Sequence, residues 1–365
     1  MRVIFPRHGL CLGLILLWWA ACPAAAQVDP RAALLERAAF EALNAGRAHE
    51  AAGMFRDALE GDPGNARLHL GAAAAALVEG RNADARDEAE RASTLDRTLA
   101  QAREILGVAH HRLGDVAGAI RTYEALVADV PSDAAAAATL ERWRREAALH
   151  ERMDRTIGDH FTVSFEGPQE AALAAHALDA LDRAYWRIGQ TLGTYPYAPV
   201  PVVLYTTQQF RDVTRSPQWA AAAFDGTIRV PMRGALDDPQ ELDRVLAHEF
   251  AHALIRGLAT HGVPAWLNEG LATALETDAA PAGPADGARA AVPLAALPSS
   301  FGALTGAQAQ AAYAASAAAA RRLLDEAGGV AVANLLRDIG DGVDFDAAFL
   351  HRIQRSFADF QSGVY

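Results

Sequence analysis

The first half of the chain carries a helical pattern of apolar and small residues that repeats every 34 residues. The residues in phase are small, namely Gly46, Gly80, Gly114, Ala51, Ala85 and Ala119. A repeat of about this length fits one pair of antiparallel helices, and a stable stack needs roughly three such units. Residues 32–133 are therefore predicted to form three helix pairs, with a further helix over 134–153 as a cap.

After residue 160 the pattern changes to short apolar runs that alternate with longer helical ones. Residues 160–165, 200–205 and 226–231 are predicted strands, and residues 168–192 and 208–213 are predicted helices. The second half is therefore expected to be a separate domain that contains both strands and helices. It is long enough to fold around its own core from about residue 154 onward.

A helix with clear boundary signals follows the third strand. Asp238 is a good N-cap, Pro239 suits the first helical position, and Glu241 completes a capping box. The helix is predicted to end near Gly257 or Gly262. A second helix then opens at Pro264.

The first of these helices contains His248-Glu249-Phe250-Ala251-His252. Two histidines four residues apart lie on one helical face, so both imidazoles can bind one metal ion. Glu269, on the next predicted helix, is the obvious third ligand, and a catalytic zinc site uses three protein ligands and a water. The alternative is two surface histidines and an unrelated acidic turn.

The C-terminal third is predicted to contain a loop and three helices. Residues 277–300 include Pro281, Pro284, Pro293 and Pro298, whose spacing excludes a continuous helix. This segment is either a mobile lid or a disordered loop. Helices are predicted over 305–327, 330–339 and 344–360.

The N-terminus has the pattern of a signal peptide over residues 1–26. Arg2 and Arg7 precede the apolar run 10–21, and three alanines follow before Gln27. The run is shorter than the roughly 20 apolar residues that a membrane anchor needs. A lipoprotein attached at Cys22 is a less favoured alternative. The chain is expected to be exported, either to the periplasm or out of the cell.

Charge and cysteine content exclude several classes of protein. Removal of residues 1–26 would take away two arginines and no acid, so the formal net charge would change from −12 to −14. So acidic a chain binds nucleic acid or anionic membranes poorly. Both cysteines, Cys11 and Cys22, precede the cleavage point, so the mature chain is expected to have no disulfide and no transmembrane span.

The repeat pattern resembles the tetratricopeptide repeat (TPR). Beside the in-phase small residues, Phe55 and Tyr123 occupy one aromatic position and Pro63 and Pro131 close their units. The resemblance implies a solenoid whose concave groove binds a peptide or a protein partner. The alternative is a stack that only shields or positions the second half.

The metal motif, together with Trp266-Leu267-Asn268-Glu269-Gly270, resembles the gluzincin metallopeptidases, and most of all their peptidase MA-like domains. The resemblance implies Zn²⁺ as cofactor, with His248, His252 and Glu269 as metal ligands and Glu249 as catalytic base. It implies an α+β fold class. An all-α TPR solenoid over 27–153 would precede an α+β thermolysin-like gluzincin domain over 154–365.

The same resemblance suggests further roles and has gaps. Tyr313 is the candidate catalytic residue that stabilises the oxyanion, although it could equally be a packed aromatic on an alanine-rich helix. Residues 226–230 are the candidate edge strand for substrate. Thr273 stands where thermolysin has an aspartate, which leaves His248 without an evident carboxylate partner. The G-x-M-E-N stretch of aminopeptidase N enzymes is missing, which favours an endopeptidase.

Two functions follow from the sequence. The first is an exported zinc endopeptidase that hydrolyses peptide bonds with zinc-activated water, while the repeats recruit a protein substrate or partner. The alternative is a catalytically idle periplasmic TPR binding or assembly protein that uses the peptidase domain as a scaffold. The intact motif with Glu269 favours the first.

Overall fold

The computed structural model describes residues 30–167, 170–214, 223–224, 226–231, 238–277, 293–298, 301 and 304–362. The predicted signal peptide with Cys11 and Cys22 lies outside the described residues, and so does most of the proline-containing loop. Among the helices of these ranges, none is both long and apolar enough to cross a membrane. The described part is largely helical, with TPR-like repeats and one small sheet.

Residues 30–150 form the predicted helix pairs and the predicted capping helix. Consecutive helices pack against each other along the stack. The helices are α1 (Pro30–Asn44), α2 (Ala48–Gly61), α3 (Ala66–Val78), α4 (Asn82–Leu95), α5 (Ala100–Arg112), α6 (Val116–Asp129) and α7 (Ala134–His150).

The recurring glycines form the turn inside each helix pair. Gly46, Gly80 and Gly114 have φ angles of 78°, 76° and 81°. This left-handed conformation follows a helix end and costs little only for glycine. The glycine recurrence therefore reflects one backbone turn made three times.

Aromatic residues pack against glycines where the helices of the stack approach closely. A Cβ atom at Gly71 would overlap the ring of Phe55, and one at Gly107 would overlap the ring of Tyr123. The Tyr123 ring also contacts Trp143 of α7 edge to face, with 4.5 Å between ring centroids. Helix α7 therefore caps the last pair by covering its apolar side.

The second half begins with a five-stranded sheet in the order β1-β2-β3-β5-β4. The central strands β2, β3 and β5 are parallel, and the outer strands β1 and β4 are antiparallel to their neighbours. The strands are β1 (Asp154–Ile157), β2 (Phe161–Phe165), β3 (Val200–Tyr205), β4 (Ala223–Phe224) and β5 (Ile228–Pro231).

Strands β1 and β4 were not predicted, and the presence of β4 changes the expected role of β5. The prediction of 226–230 as the substrate edge is wrong, because β5 pairs with β3 on one side and with β4 on the other. Strand β4 is only two residues long, too short to give a periodic signal. Among the described strands, β4 is the edge beside β5.

The main core of this half lies between the sheet and two helices, α8 (Ala171–Leu192) and α10 (Pro239–Leu258). Phe250 of α10 is fully buried and meets Phe161 of β2 edge to face, with centroids 5.4 Å apart. The short helix α9 (Thr207–Thr214) follows β3 and precedes β4 in the chain. The helix that carries the metal motif is therefore fixed on a buried face.

A second core brings the C-terminal helices against the far side of α10. Its helices are α11 (Ala265–Ala274), α12 (Gly306–Ala327), α13 (Gly329–Gly340), α14 (Phe345–Ile353) and α15 (Phe357–Ser362). The single helix predicted over 344–360 is instead α14 and α15, because Gln354 has a left-handed φ of 58°. A 3-10 turn at Leu294–Ala296, inside the predicted loop, buries Leu294 in this core.

Side-chain packing crosses the predicted boundary at residue 153. Leu149 and Met153 lie in one apolar cluster with Tyr205 and Phe210 of the second half. The carboxylate of Glu146, on α7, lies 3.1 Å from the guanidinium of Arg229 on β5, and both side chains are buried. The domain division stays a prediction, but a chain cut at residue 153 would lose these contacts.

Candidate metal centre

Helix α10 presents both histidines of the motif to one cavity. The Asp238 side chain accepts a hydrogen bond from the Glu241 backbone N–H at 3.1 Å, which caps the helix as predicted. The Nε2 atoms of His248 and His252 lie 3.1 Å apart. The two rings therefore point at one place from successive turns.

Glu269 of α11 completes a triangle of ligand atoms. Its Oε2 lies 3.7 Å from His248 Nε2 and 3.6 Å from His252 Nε2. A tetrahedral zinc ion with ligands at about 2.1 Å holds them roughly 3.4 Å apart. Within the described ranges, His248, His252 and Glu269 are the side chains spaced to hold a metal ion. Their nitrogen and oxygen donors suit zinc.

A second layer of hydrogen bonds orients both imidazoles. His248 Nδ1 donates to Glu276 Oε1 at 2.9 Å, and Arg244 Nη1 donates to Glu276 Oε2 at 2.7 Å. His252 Nδ1 donates to Asn268 Oδ1 at 3.2 Å. These bonds leave each Nε2 as the metal-facing nitrogen, which is the usual arrangement in metal sites.

The expectation that His248 lacks a carboxylate partner is wrong. Thr273 does stand one turn after Glu269, but the partner is Glu276, at the end of the segment that follows α11. The interval of seven residues from Glu269 to Glu276 corresponds to two helical turns, which keeps both on a similar face. That spacing is the sequence feature that could have identified Glu276 as the partner of His248.

The charged groups of the centre shift one another's pKa values. Burial opposes ionisation of His248, yet the carboxylates of Glu269 and Glu276 raise its pKa to about 9. Burial likewise opposes ionisation of Glu269, but the two histidines lower its pKa to about 2. The pKa of Glu276 is also lowered, against burial, by His248 and Arg244.

Glu249 lies beside the triangle and takes no part in it. Its side chain is buried and lines the same cavity. Burial raises its pKa, with a smaller contribution from Glu269, while the two histidines act in the opposite direction. A carboxylate with a raised pKa next to a metal position suits a proton acceptor that works near neutral pH.

The structure also brings Tyr313 to this cavity. Helix α11 approaches α12 so closely that a Cβ atom at Gly270 would overlap the backbone of Ser316. Tyr313 lies one turn before Ser316, and it lines the cavity together with Glu269. Burial, followed by the charge of Glu269, raises the pKa of Tyr313, so the hydroxyl keeps its proton at neutral pH.

The cavity has a volume of about 440 Å³ and includes a residue from the repeats. All five residues predicted for the site line it, together with Glu79 from the α3–α4 turn. Glu79 was not predicted as a site residue, because it lies in the repeats, about 170 residues before the metal motif. No sequence periodicity could have placed that turn beside α10.

Comparisons with known proteins concern the repeats. No family model matches the chain. The Hsp70-Hsp90 organizing protein of Triticum aestivum is 36% identical over 145 residues, which are 40% of this chain and 25% of that protein. The chain thus spans about a quarter of the length of this curated relative.

Two solved structures resemble one third of the chain. The first TPR of Spaghetti (RPAP3) bound to the HSP90 peptide SRMEEVD is 24% identical, with a TM-score of 0.32, and covers 33% of this chain and 97% of that chain. The first TPR domain of human RPAP3 is 23% identical, with the same TM-score, and covers 33% of this chain and 95% of that chain. None of these three proteins is named as a peptidase. The N-terminal part of the chain is a domain of TPR-like helical repeats.

Proposed function

We propose that the protein is a zinc-dependent peptidase whose repeat domain binds a protein substrate or partner. The observation that carries the proposal is the triangle of His248, His252 and Glu269 beside the buried carboxylate of Glu249. The residues fit zinc in ligand type, in ligand spacing and in the carboxylate and amide partners of the imidazoles.

Zinc in this position would supply a bound water of lowered pKa and would polarise the peptide carbonyl. Glu249 would accept the proton of that water and deliver it to the leaving amine. Tyr313 would donate its hydroxyl hydrogen to the oxygen that becomes negative during attack. Glu276 and Asn268 would hold the two imidazoles in orientation throughout.

The repeats support the recruiting half of the proposal. A TPR stack presents a groove that suits a peptide or an extended protein segment. A module that binds substrate raises its local concentration at the metal centre without acting on the reaction itself. The expected substrate is a polypeptide cleaved internally, in the periplasm or outside the cell.

The alternative is a TPR binding or assembly protein without turnover, and the comparisons favour it over the peptidase. They concern the repeat domain, and the relative in Triticum aestivum is named as an organizing protein. The metal centre favours the peptidase, since a scaffold has no need for a buried proton acceptor beside three convergent ligands. One experiment distinguishes the two functions, because only the peptidase would hydrolyse a peptide bond.

The test is proteolysis of an unfolded protein substrate by the full-length, zinc-loaded chain. Glu249→Gln is expected to retain zinc and to lose about 10² to 10⁴ of turnover, because the amide cannot accept the proton. Glu141→Gln, at an exposed position on α7, is the matched control and should cleave normally. Near-native cleavage by the zinc-loaded Glu249→Gln protein would remove Glu249 from the mechanism. No cleavage by the native protein would favour the alternative.

A further inference from the structure

One wall of the metal-centre cavity comes from the repeats, and it carries a carboxylate. Glu79, just after α3, lines this cavity together with the metal ligands. Of the other acidic residues in the described lining, Glu269 is a proposed zinc ligand and Glu249 is the proposed proton acceptor. Glu79 is therefore the carboxylate of this lining that the reaction itself does not use.

The backbone of Glu79 is held against the segment that follows the metal-binding helix. Its N–H group donates to the carbonyl oxygen of Ala75 and so ends α3, and Gly80 follows with a left-handed φ of 76°. A Cβ atom at Gly80 would lie 3.1 Å from the carbonyl oxygen of Thr260, just after α10. The contact fixes the position of Glu79 relative to the two histidines of α10, and such a fixed position is what a specificity residue needs.

The cations that pair with Glu79 approach it from outside the cavity. Arg81 donates from Nε and Nη2 to Oε2, at 2.9 and 2.7 Å, and His49 donates from Nδ1 to Oε1 at 3.0 Å. Neither residue belongs to the described lining of the cavity. The three bonds orient the carboxylate and leave room for one more, because a carboxylate offers about four acceptor positions. Its side chain keeps 9% of its surface exposed, so a ligand in the cavity can touch it.

The charge of Glu79 acts on another residue of the cavity wall. His261 follows α10 and lines the same cavity. Burial lowers the pKa of His261, and the strongest opposing influence is the charge of Glu79, while Arg81 and His49 each have a smaller effect. The negative charge thus reaches the wall of the cavity, although Glu79 is paired. It would attract a positive group of a bound ligand in the same way.

The repeat pattern gives no reason for a glutamate at this position. The residues one repeat length before and after Glu79 are Ala45 and Leu113, and each precedes a turn glycine as Glu79 does. The turn therefore forms without a carboxylate in the first and third units. The glutamate stands in the middle unit, whose turn borders the metal ligands.

We propose that Glu79 is a specificity residue that selects substrates with a cationic group next to the bond that is cleaved. The group is the side chain of lysine or arginine, or the free amino group of a chain, since each donates hydrogen bonds and carries positive charge. An extended polypeptide advances about 3.3–3.6 Å per residue, so a cavity of about 440 Å³ holds only the few residues around the cleaved bond. The inference rests on the proposed peptidase function.

The binding test uses labelled twelve-residue peptides and the zinc-loaded Glu249→Gln protein, so that affinity is measured without cleavage. Two peptides are acetylated and amidated and carry either two lysines or two glutamines at their centre. A third has the glutamines and a free amino group. The first or the third should bind about tenfold or more tightly than the blocked glutamine peptide, since hydrogen bonds with charged groups are the stronger ones. Which of the two binds identifies the source of the cation.

Variants of Glu79 in the same protein test whether this residue is the cause. Glu79→Gln should remove most of the preference, and Glu79→Asp, which keeps the charge, should retain part of it. Glu50→Gln, at an exposed ion pair on α2, is the matched control and should leave the preference unchanged. All variants should still bind zinc, because Glu79 is not a ligand. Equal affinities for the three peptides would overturn the proposal without any variant of Glu79, and so would a preference that Glu79→Gln leaves intact.

Cleavage by the protein with Glu249 intact separates this inference from the function on which it rests. The preferred peptide should be cleaved with a kcat/KM about tenfold higher than the blocked glutamine peptide, and Glu79→Gln should abolish the difference. Cleavage of all three peptides at equal kcat/KM would contradict the specificity role and leave the peptidase standing. Affinity that depends on Glu79, without cleavage of any peptide, would contradict the peptidase and leave a cation-binding cavity.

Discussion

Glu276 holds His248 in orientation, with Oε1 of the carboxylate 2.9 Å from Nδ1 of the imidazole. Arg244 fixes the other oxygen of the same carboxylate at 2.7 Å. The chain thus links α10 to the end of α11 through a second layer that sets which nitrogen of His248 faces the metal. This link connects sequence segments 28 residues apart, so it lies outside the five-residue motif, and only the spacing of Glu276 from Glu269 indicates it.

Glu276→Gln is expected to weaken zinc binding by about 10- to 100-fold, which is the usual effect of losing such a partner. The amide keeps the shape but removes the charge that favours the oriented imidazole. Competition with a chelator of known affinity measures the change. Glu326→Gln, at a partly exposed ion pair on α12, is the control and should bind zinc normally. An unchanged zinc affinity in the Glu276→Gln protein would show that the contact orients nothing.

Tyr313→Phe is expected to lower kcat by roughly 10² to 10³ with little change in KM, which is the signature of a donor that acts only in the transition state. Tyr313 lines the same cavity as Glu269, from which its hydroxyl would donate to the substrate oxygen as that oxygen becomes negative. Steady-state kinetics on one peptide give both constants. An unchanged kcat would show that Tyr313 only packs against Phe301 and takes no part in catalysis.

The buried pair of Glu146 and Arg229 predicts a pH-dependent stability. Burial opposes the charge of Glu146, but His111 and Arg229, with a smaller effect from His150, lower its pKa below the ordinary value. A group with a lowered folded pKa stabilises the protein above its unfolded pKa, about 4.3, and this contribution is lost as the pH falls through the folded pKa.

Glu146→Gln should therefore reduce the free energy of unfolding by about 3–5 kcal/mol near neutral pH, because the buried ion pair with Arg229 is broken. The difference from the native protein should shrink below about pH 4. Denaturant unfolding at several pH values measures it, with Glu141→Gln expected to change stability by less than about 1 kcal/mol. A difference that does not vary between pH 3 and pH 7 would contradict this account.

The sequence predicted those features that have a local physical signal. The glycine turns, the cap at Asp238 and the spacing of the metal ligands all follow from residues close together in the chain. The unpredicted features depend on distant contacts. Strand β4 is too short to show a period, and Glu79 reaches the cavity only because the α3–α4 turn lies against Thr260, just after α10. Gln354 breaks a predicted helix with a backbone angle that is uncommon for glutamine.

The metal content of the full-length protein, purified without chelator and supplied with zinc, tests the central claim most directly. Elemental analysis should give about one zinc per chain, since His248, His252 and Glu269 form one site. His252→Ala should contain none after the same treatment, and His49→Ala, at an exposed histidine of the repeats, should still contain one. A native chain without a bound transition metal, or a His252→Ala protein that retains full zinc, would contradict the proposed centre.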